Sequence, residues 1–92
     1  MATSKTTKAR RDRLVRKIEA IRETLEETRQ RVEAAAEERR AALDGMPEWA
    51  QLSERGEAVE AEAEGFSAAA DAFEGIDEQL AEIVEVLSEI GQ

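Results

Sequence analysis

The chain has no cysteine, no histidine and no tyrosine, one proline (Pro47) and three aromatic residues, Trp49, Phe66 and Phe73. Without cysteine there is neither a disulfide nor a thiolate metal site, and the redox compartment stays open. Without His, Cys and Tyr the commonest general bases, nucleophiles and transition-metal ligands are missing, so no catalytic residue, metal or other cofactor is expected. No apolar run approaches the ~20 residues of a membrane span. The stretch Met1 to Lys17 lacks the apolar middle of a secretory signal. The expectation is a cytoplasmic protein, that of the host cell if phage-encoded, with no membrane partner.

What is present is helix. At 92 residues the chain makes one domain at most, rich in Ala and Glu as long helices and coiled coils are. From Leu14 apolar residues recur at 3,4 spacing. Ile18, Leu25 and Val32 form one column, which Arg39 continues, and Leu14, Ile21, Thr28, Ala35 and Ala42 form the other. The first helix should stop near Asp44, with Gly45 in the left-handed position after it and Pro47 opening a short turn. Ser53 is placed to cap a second helix whose first turn holds Glu54 and Glu57. The core columns of that helix read Val59, Phe66, Phe73, Leu80 and Leu87, then Ala63, Ala70, Asp77 and Val84. A third column, Ala69, Ile76, Ile83 and Ile90, widens its apolar stripe. Gly56, Gly65 and Gly75 interrupt it, each costing about 1 kcal/mol relative to Ala, and a break at Gly75 would give three helices instead of two.

The predicted architecture is all-α: an antiparallel two-helix hairpin, coiled-coil-like, that dimerises into a four-helix bundle. Residues 1–8 are a mobile basic tail and 9–92 the hairpin, with helix 1 about 9–44, a loop with a short turn at 45–52 and helix 2 about 53–90. The case for dimerisation is an unequal apolar supply. Ile76, Leu80, Ile83, Val84, Leu87 and Ile90 present more surface than the first arm can cover, and these are the expected self-association residues.

Charge is divided between the arms. Residues 1–43 carry 12 Lys/Arg against 8 Asp/Glu, a net of +4, whereas residues 44–92 carry 14 acids against Arg55 alone, a net of −13. An acidic protein is a poor ligand for phosphate, so no direct nucleic-acid partner is expected. The basic cluster Lys5, Lys8, Arg10, Arg11, Arg13, Arg16 and Lys17 is read as neutralising Glu82, Glu85 and Glu89 on the other arm. Glu57, Glu64, Asp71, Glu78 and Glu85 recur every seven residues and form an acidic stripe. Between Glu54 and Glu89 there are 12 acids in 36 residues, one per about 4.5 Å of helix, against about 3.4 Å per phosphate of a DNA strand. The simplest reading is a solvated face; a sharper one is mimicry of nucleic acid directed at a basic protein. Asp77, alone among the acids in a core column, reads as a register-setting residue. Trp49 is either a plug for the loop end, with Met46 and Leu52, or an exposed anchor for a partner.

The segment Leu43-Asp44-Gly45-Met46-Pro47-Glu48, followed by Ser53-Glu54-Arg55-Gly56-Glu57, resembles a turn in small acidic helical-hairpin proteins of bacteriophages and mobile elements. Their turn reads roughly Asn-x-Pro-Glu-x-Leu-Gln-x-Ser-x-Arg-x-Glu. Gly45 stands in the Asn place and Trp49-Ala50 replaces the usual polar-Leu pair. The resemblance implies an origin and no activity. The expected function is therefore a non-enzymatic interaction or assembly module. Its expected partners are itself, as a homodimer, and an unidentified protein, basic if the acidic stripe is what binds it. The alternatives are an acidic nucleic-acid mimic inhibiting a host enzyme or defence complex, and a structural virion component.

Overall fold

A computed structural model describes the backbone of residues 2–91 and the side chains of residues 6–91. The first helix, α1, spans Ala2–Asp44; a single turn, α2, spans Glu48–Gln51; and α3 spans Glu54–Ser88. The described residues contain no strand, so the protein is all-α. The two long helices pack side by side into a rod of 74 × 15 × 13 Å. They run antiparallel, because Arg22 meets Asp77, Arg11 meets the carbonyls of Ser88 and Ile90, and Arg39 meets Glu62.

The punctuation follows the residues. Helix α1 closes with Gly45 N–H donating to Ala41 and Met46 N–H to Leu43, after which Pro47 cannot extend it. The left-handed glycine expected at Gly45 is not used: the glycine with positive φ is Gly91. The α1 end tightens instead into a three-residue turn, which needs no such conformation. The Pro47 carbonyl then accepts from Ala50 and Gln51 to start α2. Ser53 caps α3, its hydroxyl accepting from the Gly56 amide at 3.3 Å. Helix α3 runs unbroken through Gly65 and Gly75, so the third helix is the loop turn and not a product of a break at Gly75. At its start, α1 takes in residues 2–8, the stretch expected to be a tail.

Burial has a 3,4 rhythm on both long helices. On α3 it follows the two expected columns, one through Gly56, Ala63, Ala70, Asp77 and Val84 and the other through Val59, Phe73, Leu80 and Leu87; Phe66 stays 40% exposed. On α1 the column Ile18, Leu25, Val32 and Arg39 faces the seam, as expected. The second α1 column does not. Val15, Arg22, Arg29, Ala36 and Leu43 occupy the seam, while Leu14, Ile21, Thr28 and Ala42 are exposed and Ala35 alone of that column is half-buried. The reason is electrostatic as well as steric. Asp77 stands in the seam, and rotating α1 by one position brings Arg22 onto it. About half of the Asp77 side chain stays in solvent, so the pair is a modest contribution that favours this rotation.

The fully buried apolar set is small: Ala36, Val59, Ala63 and Ala70, at 2–7% exposure. Around the loop, alanines and Gly56 let the helices approach closely. A β-carbon on Gly56 would stand 2.3 Å from the Gln51 carbonyl oxygen and 2.4 Å from that of Ala50. The tight fit of α2 against α3 therefore requires this glycine.

Candidate interaction surface

In heptad terms Val15, Arg22, Arg29, Ala36 and Leu43 take a positions of α1, as Gly56, Ala63, Ala70, Asp77 and Val84 do on α3. The hairpin then has two edges. One is polar: a shallow groove there is lined by Glu26, Glu33, Asp71 and Glu74 beside the seam, and Arg40 bonds Ser67 at 2.8 Å. The opposite edge is formed by the g positions of both helices. From α1 it receives Leu14 and Ile21, 45% and 50% exposed, and from α3 Ile76, Ile83 and Ile90, 44%, 46% and 43% exposed. The stagger fixed by Arg22–Asp77 interleaves these five side chains at the open end of the rod. Toward the loop the same edge continues through Thr28, Ala69 and Ala35 to Glu62.

The six residues expected to drive self-association thus divide. Ile76, Ile83 and Ile90 lie on the exposed edge, whereas Leu80, Val84 and Leu87 are half-buried in the seam with α1. Leu14 and Ile21, core residues by sequence pattern, join the exposed set. The sequence does carry an informative signal. An acid in a seam column asks for a cation at the same level, and of the two possible α1 columns only that of Arg22 provides one.

The polar seam is well organised. Arg22 holds Asp77 through two hydrogen bonds, Nε to Oδ1 at 2.8 Å and Nη2 to Oδ2 at 3.1 Å. These bonds keep the Asp77 carboxyl below the ordinary carboxylate range and raise the Arg22 value. Arg29, one heptad on, is held within α1 between Glu26 at 2.6 Å and Glu33 at 2.7 Å. Glu26 is lowered by its hydrogen bond from Arg29, with one from Gln30 adding to it. At the open end Arg11 reaches across, its Nη1 donating to the Ile90 carbonyl at 2.6 Å and to that of Ser88 at 3.5 Å. A cation there complements the C-terminal pole of α3. That is how the basic start of α1 engages the other arm. Among the described residues no ion pair joins it to Glu82, Glu85 or Glu89, and the Lys5 side chain lies outside those residues.

Glu57, Glu64, Asp71, Glu78 and Glu85 are all exposed on the outer face of α3, and none takes part in an ion pair among the described residues. Seven-residue spacing sets successive carboxylates about 10.5 Å apart, too far to converge on one ion. Trp49 and Leu52 are 75% and 77% exposed at the loop tip. The plug reading is therefore wrong: Gly56 draws α2 so close to α3 that the loop end is closed by backbone and Gln51, whose amide donates to the Met46 carbonyl.

Compared with protein-family models, with curated proteins and with solved structures, the chain finds no match in any of the three.

Proposed function

We propose that this protein is a non-enzymatic interaction and assembly module that self-associates through its apolar edge. The carrying observation is the line of Leu14, Ile21, Ile76, Ile83 and Ile90, five large aliphatic side chains left 43–50% exposed along one edge. No described helix is long and apolar enough to cross a membrane, and contiguous apolar surface on such a chain marks an interaction site. The thin intramolecular core gives the same reason from the other side. A single layer of two helices cored by three alanines and a valine has little stability of its own, and association adds to it. The turn that resembles phage and mobile-element hairpins supports an accessory role in such a system, within the host cytoplasm. Substituting Ile83→Glu tests the reading: the variant should keep its helical content yet elute as a single chain where the parent elutes as an oligomer. An oligomer unaffected by that charge overturns it.

A second reading rests on a different observation, the five carboxylates of the α3 stripe that enter no ion pair among the described residues. They suit an inhibitor that occupies the nucleic-acid groove of a basic host enzyme or defence complex. Binding of that kind weakens steeply with salt and is lost when Glu64, Asp71 and Glu78 become Lys. A structural virion component would depend on the isoleucine edge and not on the stripe.

A further inference from the structure

We infer that the occupant of the apolar edge is a second copy of this chain lying in the same direction, with both loops at one end and the two-fold axis along the rod. This rests on the self-association proposed above and adds the geometry and the composition of the joint. Two symmetric ways exist to press one hairpin edge against its copy. With the axis along the rod, α1 of each chain faces α3 of the other. With the axis across the rod, α1 faces α1 and α3 faces α3, in opposite directions.

Three features separate the two. The first is the position of the apolar side chains, all gathered at the open end. The axial arrangement sets Leu14, Ile21, Ile76, Ile83 and Ile90 level with the same residues of the copy along the whole edge. The opposed arrangement at full overlap sets them against the loop half, where Ala35, Ala69 and Glu62 lie. The second is area. A strip running the roughly 52 Å of α3 and the 13 Å width of the rod is about 680 Å², close to the 800 Å² or so per partner of a standard interface. Sliding opposed rods until only Ile76 to Ile90 overlap leaves about 21 Å of contact, roughly 270 Å², which is too little. The surplus of surface agrees. The chain exposes 7084 Å², whereas a compact protein of its mass exposes about 5,300 Å².

The third feature is charge. In the open half, α1 carries Arg10 and Lys17 beside the edge and Arg13 on its outward face, and α3 carries Glu82 and Glu89 on its outward face, all exposed. Arg22 opposite Asp77 places Lys17 about level with Glu82 and Arg10 about level with Glu89. The axial arrangement therefore sets the basic start of α1 beside the acidic end of the copy's α3. The opposed arrangement sets basic on basic and acidic on acidic. Wrong-partner juxtapositions of this kind select orientation more than they add affinity. One consequence is functional: the axial pair presents two copies of Trp49 and Leu52 together at one end of the rod.

The absence of native cysteine allows a direct test on the full chain. A nitroxide label on Glu48→Cys, an exposed position in the loop turn, reports the separation of the two tips by electron–electron double resonance, with sedimentation of the same sample giving its mass. The expected result is a dimer with tips within about 30 Å, two rod widths. A dimer with tips beyond about 70 Å overturns this arrangement and leaves self-association intact. A single chain overturns the self-association reading itself, and a short distance that survives Ile83→Glu overturns the apolar edge as its seat. A charge reversal gives independent evidence: Lys17→Glu should weaken the dimer several-fold and Glu82→Lys should restore it. A strengthened dimer from Lys17→Glu alone contradicts the axial geometry.

Discussion

The two halves of this rod solve the same packing problem with different residues. Near the loop the helices meet over Ala36, Ala63, Ala70 and Gly56, side chains so small that the backbones close on one another, and the large apolar residues left exposed there are Phe66 and, at the tip, Trp49 and Leu52. Toward the open end the residues are large, the seam contains Arg22 and Asp77, and six aliphatic side chains remain outside it, five along one edge and Val86 beyond it. The loop half closes its seam with small side chains, whereas the open half places an ion pair in its seam and leaves its isoleucines exposed along one edge.

That contrast is easiest to break with glycines. Gly56→Ala should be the largest single loss, about 1–3 kcal/mol in urea melts, because backbone atoms of Ala50 and Gln51 occupy the space of the new methyl group. The identical change in the open half should act in reverse. At Gly75 nothing lies within 4 Å of the added carbon, so Gly75→Ala should stabilise by about 1 kcal/mol through helix propensity. A loss at Gly75 would mean that a neighbour packs against it in solution.

The polar lock sharpens the comparison through pH. Asp77 is held below its ordinary range by Arg22, so its contribution is present above the unfolded-chain value of about 3.9 and fades as pH falls through the lower folded value. Asp77→Asn should therefore be less stable than the parent at pH 7, and chemical melts should find the gap closing as pH drops below about 4. A gap unchanged at low pH would show that the residue acts by shape and not by charge. The smallest effects belong to the tip. Trp49→Ser and Leu52→Ser should each change stability by less than about 0.5 kcal/mol, since three quarters of each residue is in solvent. A larger loss would revive the plug.

Much of the fold is legible in the amino-acid sequence. The stop at Asp44, the turn after Pro47, the Ser53 cap and both α3 columns follow from spacing and local chemistry. The rotation of α1 does not follow, because Ile18, Leu25 and Val32 can be flanked on either side. Leu14 and Ile21 are the greasier neighbours and Val15 and Arg22 the polar ones. Apolar pattern alone chooses the former, which is correct only if every apolar column serves the same chain. Gly56 looks like a plain cost in helical periodicity, since close approach of carbonyls from a separate turn leaves no mark there. The exposed apolar edge is half legible, with Ile76, Ile83 and Ile90 visible as a surplus column and their α1 companions hidden in an apparent core.

Sedimentation equilibrium of the unmodified chain at high micromolar concentration bears most directly on the proposed role of the exposed isoleucines. A mass of about twice the 10.2 kDa chain, falling to one chain mass in Ile83→Glu, is the predicted result. A parent that stays at 10.2 kDa while melting cooperatively would contradict it, because the exposed edge would then need no cover.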